Sequence, residues 1–147
     1  MRVILDANVL LRILLPSPNP SRAVNVIFDA LIAESFDLLV SDDLIEEVQR
    51  RSADKPYLAA RITPYRSASF FISLRGSAIE LPRLMPPFPP RCREPRDDYL
   101  LAYAESGHAD YLITDDEDLL VLDGQFLFRI VRPPEFLFIL RKHGLIP

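Results

Sequence analysis

The sequence predicts an α/β domain, a three-layer sandwich whose central, mostly parallel sheet of about five strands is covered by helices on both faces. Three observations predict it. Short apolar runs recur along the chain between stretches with helical periodicity, and strands that alternate with helices pair in parallel with right-handed crossovers. The first run, RVIL at residues 2–5, lacks polar alternation, as expected of a strand buried on both faces. No repeat or second domain interrupts the 147 residues, so residues 1–147 read as a single domain large enough to bury its own core.

The elements follow in order. After the strand at 2–5, residues 8–15 carry a helical apolar pattern that stops at Pro16. SPNP is a turn, and Ser21 is a candidate N-cap for a helix running to about Ser35, with Ala23, Val24, Ile27 and Leu31 on one face. DLLVS at 37–41 is a second strand, and Ser41 or Asp42 caps the helix DDLIEEVQRR. Helical segments continue from Pro56 to Arg75 through a break at Pro64, and SAIEL at 77–81 is a third strand. PRLMPPFPPRCREPR at 82–96 contains six prolines. Each removes a backbone donor and biases its predecessor to extended conformations, which makes the segment a semi-rigid loop. A helix starts near Asp97–Asp98 and ends around Gly107, DYLIT at 110–114 is a fourth strand, and DDED is an acidic turn. FRIVR at 128–132 is a fifth strand, and PPEFLFILRKHG is a closing helix whose prolines suit its first turn.

Composition narrows the function classes. A net charge of −4 and a pI near 5.2 exclude a nonspecific nucleic-acid coat, which would be basic. They leave open an enzyme that meets a phosphodiester through bound cations. No apolar stretch reaches the roughly 20 residues of a membrane helix. The apolar N-terminus is broken by Asp6 and Arg12 and has no small-residue cleavage site, unlike a signal peptide. One cysteine, Cys92, allows neither an internal disulfide nor a thiolate zinc cage, and a cytoplasmic location is expected.

Acids recur at strand ends, where parallel sheets bind ligands. Asp6 ends the first strand, Asp115, Asp116 and Asp118 follow the fourth, and Asp97 and Asp98 open the helix leading into it. Glu46 and Glu47 lie one turn into the helix after the second strand. Each acid alone has an ordinary explanation. Asp97 or Asp98 can cap a helix, Glu46 and Glu47 can pair with Arg50 and Arg51 at i,i+4, and Asp118 can cap the turn that follows. Asp6 is the hardest to dismiss, because an acid at the inner end of a buried strand is costly unless paired or metal-bound. Together the acids crowd one rim that has no lysine, an unfavourable arrangement unless divalent cations fill it. Oxygen donors without His or Cys select Mg²⁺ or Mn²⁺. His108 and His143 fall at helix ends away from the rim. There is no glycine-rich phosphate loop or nucleophile motif. A phosphoaspartate site is disfavoured because neither Lys55 nor Lys142 follows a strand end.

Five segments in order resemble the PIN domain family of Mg²⁺-dependent ribonucleases, which includes the VapC-type toxins of toxin–antitoxin pairs. VILDANVLL resembles its opening motif and selects Asp6 and Asn8. VSDDLIEEVQR carries a serine six residues before the acidic glutamate, selecting Ser41 and Glu47. REPRDDYLLAYA resembles R-D-P-x-D-(D/N)-x-x-L-x-x-A and gives Asp97 the ligand role. YLITDDEDLL resembles Y-L-(V/I)-T-G-D-x-D-L-L and marks Thr114, Asp116 and Asp118. IVRPPEFL, like REPRDDYLLAYA, resembles the pattern of a subgroup of the family, here its closing strand and helix start. Glu94 and Asp115 depart from the pattern, standing where Asp and Gly are usual.

The resemblance implies hydrolysis of RNA phosphodiester bonds, with Asp6, Glu47, Asp97 and Asp116 as catalytic residues holding Mg²⁺ or Mn²⁺. Asn8, Ser41, Thr114 and Asp118 are supporting residues, and Arg91, Arg93 and Arg96 are weaker candidates for RNA phosphates. The implied partners are an RNA substrate and a small antitoxin protein, with a homodimer left open. A housekeeping RNA-processing nuclease and an inactive acidic scaffold are the rival expectations.

Overall fold

A computed structural model describes residues 1–19 and 22–147. The chain forms β1 (Arg2–Leu5), α1 (Ala7–Leu14), α2 (Ala23–Ile32), β2 (Asp37–Val40), α3 (Asp42–Asp54), α4 (Pro56–Arg61), α5 (Pro64–Ser77) and β3 (Ala78–Glu80). A 3₁₀ turn at Pro95–Asp97 then leads into α6 (Asp98–Ser106), β4 (Tyr111–Ile113), α7 (Glu117–Leu120), β5 (Arg129–Val131) and α8 (Pro133–Lys142). The sheet is parallel throughout, in the order β3-β2-β1-β4-β5. Val3, Ile4 and Leu5 are buried in succession, as are Leu38, Leu39 and Val40. Successive side chains point to opposite faces, so both faces of the central strands are covered.

Most boundaries fall within two residues of expectation, and the larger differences have local causes. The Asp6 carbonyl accepts from the Val9 and Leu10 amides at 3.0 and 3.1 Å, which starts α1 one residue earlier than the apolar pattern suggests. Ser41 is the cap of α3, its Oγ accepting from the Leu44 amide at 3.2 Å. That helix runs to Asp54 and stops where Pro56 biases Lys55 to extended backbone. Ser77 belongs to α5 rather than to a strand. Helix α2 ends at Ile32 instead of Ser35, and Arg22 occupies its cap position. The expected cap, Ser21, lies outside the described residues. The last two residues of DDED open the short helix α7, and the Asp116 carboxylate caps it. Gly107 closes α6 at a point where a Cβ would meet Leu81 Cδ1 at 2.8 Å. No described helix is long and apolar enough to cross a membrane.

Strand order decides where chemistry can occur. From β1 the chain builds outward to β2 and β3, then returns to place β4 on the other side of β1 and β5 beyond it. The direction reverses between β1 and β4. In an open parallel sheet the crevice beyond the carboxyl ends at that reversal is the ligand site. Leu5 is the register partner of Ile113, so the residues immediately following them, Asp6 and Thr114, emerge side by side.

Candidate functional site

Asp6 leaves β1 with its amide donating to the Ile113 carbonyl at 2.9 Å. Its side chain does not cap α1. Instead Oδ2 accepts from Thr114 Oγ1 at 2.6 Å. The same Thr114 oxygen accepts from the Asp116 amide at 3.0 Å. A hydroxyl has one proton to give, so this arrangement commits it to Asp6 and fixes the carboxylate's orientation. Asp6 is 4% exposed and Thr114 is fully buried. Burial raises the Asp6 pKa; the Thr114 bond and the Arg51 charge oppose it, and the Asp116 charge adds to it.

Asp97 ends the 3₁₀ turn and occupies the cap position of α6 without making a side-chain cap bond. Its side chain lies close to that of Asp116, which favours the protonated form of Asp97. Burial, the Asp6 charge and Asp116 push the Asp97 carboxyl up to about 7. Asp116 also accepts from the Asp118 amide at 2.9 Å, holding the start of α7. Asp98, at 6% exposure, serves a different purpose. Its Oδ1 accepts from the Arg91 and Cys92 amides at 3.0 and 2.7 Å, fastening the proline-rich loop to α6.

Glu47 reaches the site from α3. Arg51 Nε donates to Glu47 Oε1 at 2.7 Å and Arg51 Nη1 donates to Asn8 Oδ1 at 2.5 Å. Arg50 also pairs with Glu47. Burial opposes the Glu47 charge, but the two guanidiniums outweigh it and hold the carboxyl below its usual range. The rim has no lysine, as expected, yet it is not without bases: Arg51, 24% exposed at its side chain, lies among the acids and lowers the pKa of both Asp6 and Asp97. The i,i+4 spacing predicts Glu46–Arg50, whereas Glu46 pairs with Arg83 at 2.7 Å because the loop after β3 brings that arginine across α3.

The remaining candidates are dispersed. The Asp118 carboxylate is paired with Arg93, and Ser41 acts through the start of α3. Arg91 turns from the acids to Glu105, 2.5 Å away near the far end of α6, and stacks over Phe126. Arg93 and Arg96 stay exposed, Arg96 with Glu94 at 3.1 Å. Asp115, where glycine was expected, is outside the left-handed region and has its charge met by Arg12 and Arg132. The departure therefore needs no backbone strain. Sequence reasoning missed Arg51, taken there as a surface partner, and Tyr99. Burial and the charges of Asp6, Glu47 and Asp97 raise the Tyr99 pKa and keep its phenol protonated. Its place two residues after Asp97 was the available signal, masked because aromatics on a helix usually belong to the core.

Among the described residues, no three acidic, histidine or cysteine side chains are gathered tightly enough to enclose an ion as they stand. The donor chemistry nevertheless suits Mg²⁺ or Mn²⁺. The Asp116 charge raises the proton affinity of Asp6, and Asp6 and Asp116 raise that of Asp97, as closely placed carboxylates do. The sequence profile of the PIN domain matches residues 2–118, from β1 through Asp118. No curated protein matches the chain. The profile spans well over half of the sequence and contains all of the acids at the β1–β4 crevice, and on that match the chain belongs to the PIN domain family, whose members are in general nucleases.

Proposed function

We propose that this protein is a metal-dependent ribonuclease that hydrolyses RNA phosphodiester bonds and acts as the toxin of a type II toxin–antitoxin pair. The observation that carries the nuclease reading is the buried Asp6 carboxylate, oriented by Thr114 at the crevice where strand order reverses, with Asp116 and Asp97 beside it. Asp6, Asp97, Asp116 and Glu47 would hold Mg²⁺ or Mn²⁺. A bound ion would lower the pKa of an attacking water and neutralise the scissile phosphate.

The chain's own residues set the stage for that chemistry. Thr114 orients Asp6 and, through the Asp116 amide, the start of α7. Arg51 positions Glu47 and Asn8 together. Burial and its acidic neighbours favour a proton on Asp97, and a bound cation would compete with that proton for the carboxylate. The RNA preference and the toxin role rest on the resemblance to VapC-type proteins. The same acidic rim suits an antitoxin whose arginine competes with the cation for the carboxylates.

Purified protein should cleave RNA with Mg²⁺ or Mn²⁺, lose activity in EDTA, and lose it by about 10²-fold or more with Asp6→Asn. Induced expression should arrest growth, with relief by Asp6→Asn and by coexpression of a neighbouring small gene. Cleavage without arrest would move the assignment to a housekeeping nuclease. Metal binding without cleavage of any RNA would leave an acidic scaffold.

A further inference from the structure

A cleft of about 470 Å³ opens beside the carboxylates and shares Glu47 with them. Its apolar wall is Phe88, Pro95 and Tyr99, and Arg50 and Arg96 are also part of its lining. Phe88 sits in the proline-rich loop, its ring 6.4 Å from those of both Tyr99 and Tyr103. The loop is pinned there: Tyr103 Oη accepts from the Leu84 amide at 2.9 Å and donates to Asp43 at 2.5 Å. Farther along, Asp98 holds the Arg91 and Cys92 amides. Phe88 is thus fixed in place yet left half-buried, unlike an aromatic that completes a core.

The charges of the cleft fit a nucleotide. Asp43 and Glu46, the other acids lining it, are paired with Arg83 and so do not present unmet negative charge to a phosphate. Arg96, paired with Glu94, and Arg50, paired with Glu47 and Asp54, keep side chains 79% and 57% exposed, so each can still offer N–H groups to a phosphate.

We infer that this cleft takes the unpaired base of a nucleotide adjacent to the phosphate at the acids, stacked on Phe88 and Tyr99, with Arg50 and Arg96 meeting its backbone. The inference rests on the nuclease reading and adds to it a subsite for a flanking base. A duplex keeps its base faces stacked on one another, so only an unpaired base can offer a face to Phe88.

The test uses fluorescence anisotropy with a labelled single-stranded RNA 12-mer and the matching duplex in Mg²⁺, on full-length protein carrying Asp6→Asn to prevent cleavage. Single strands should bind about tenfold or more tightly than duplex. Phe88→Leu, which keeps apolar bulk but removes the ring, should weaken single-strand binding by about tenfold, and Phe88→Tyr should restore it. An otherwise active chain should show a similar drop in kcat/KM when an abasic nucleotide replaces the one beside the cut. Equal affinity for single strand and duplex, or no response to Phe88→Leu, overturns the subsite. If cleavage by the unmodified protein persists under those results, the nuclease reading survives alone. If the unmodified protein cleaves no nucleic acid with Mn²⁺, the nuclease reading itself fails, whatever the binding result.

Discussion

Thr114 donates its hydroxyl proton to Asp6 Oδ2 at 2.6 Å, across 108 residues of sequence, with both side chains withdrawn from water. Thr114→Val keeps the shape, removes the donor to Asp6 and deprives the Asp116 amide of its acceptor. The expected cost is about 1–3 kcal/mol, the price of leaving buried polar groups unpaired. A shifted urea midpoint would show it. Thr114→Ser, which retains the hydroxyl, should lose much less. Equal midpoints for Val and wild type would mean that the contact contributes nothing to holding Asp6.

The raised pKa values of Asp97 and Asp6 determine the pH response of the metal-free protein. Asp97 titrates near 3.8 when unfolded and near 7 when folded, so the folded state binds the extra proton between those values. Its stabilising contribution is full below about pH 4 and is lost as pH rises through 7. Melting temperature in EDTA should therefore fall across this window, and Asp97→Asn should flatten the fall. Mn²⁺ competes with the proton, so its stabilising effect should grow with pH over the same range. A profile unchanged by Asp97→Asn would assign the titration elsewhere.

The two acidic doublets should separate activity from stability. Glu47→Gln and Asp97→Asn are each expected to reduce RNA cleavage by about 10²-fold or more. Glu46→Gln breaks only an exposed pair with Arg83 and should change stability by less than about 1 kcal/mol. Asp98→Ala is different, because two loop amides lose their acceptor. It should cost about 2 kcal/mol while activity falls less than with Asp97→Asn. Steady-state cleavage and chemical unfolding on the same preparations distinguish these outcomes, and equal activity losses within a doublet would defeat the assignment there.

Arg51 supplies positive charge among the carboxylates and bridges Glu47 to Asn8. Arg51→Met should lower stability without metal by about 1 kcal/mol and enlarge the melting-temperature gain on adding Mn²⁺, since the ion then meets less compensated acids. Arg51→Lys keeps the charge but cannot bridge two acceptors in the same fork, so it should restore the Mn²⁺ response more fully than it restores activity. An Mn²⁺ shift identical in wild type and Arg51→Met would show that the guanidinium does not compete with the cation.

The order and type of the elements were legible in the sequence because they depend on short-range chemistry. Four uninterrupted apolar residues make β1 a covered strand, Ser41 caps its own helix three residues away, and Pro56 and Pro64 punctuate the helices by removing donors. From those elements followed a parallel sheet, the positions of Asp6 and Asp116 beyond its strand ends, and that of Asp97 at a helix start.

Only the tertiary structure decided which side chains meet. That β1 lies between β2 and β4 is a matter of strand order, and it is this order that sets Asp6 against Thr114 and Asp116. The same long-range packing sent Arg51 to Asn8, turned Arg91 away to Glu105, separated Asp97 from its neighbour Asp98, and drew Tyr99 toward the acids. Periodicity and capping act over a few residues and are written locally. A hydrogen bond spanning 108 residues exists only after the sheet has chosen its neighbours, so the acids were visible in the sequence while the groups that orient and charge-balance them were not.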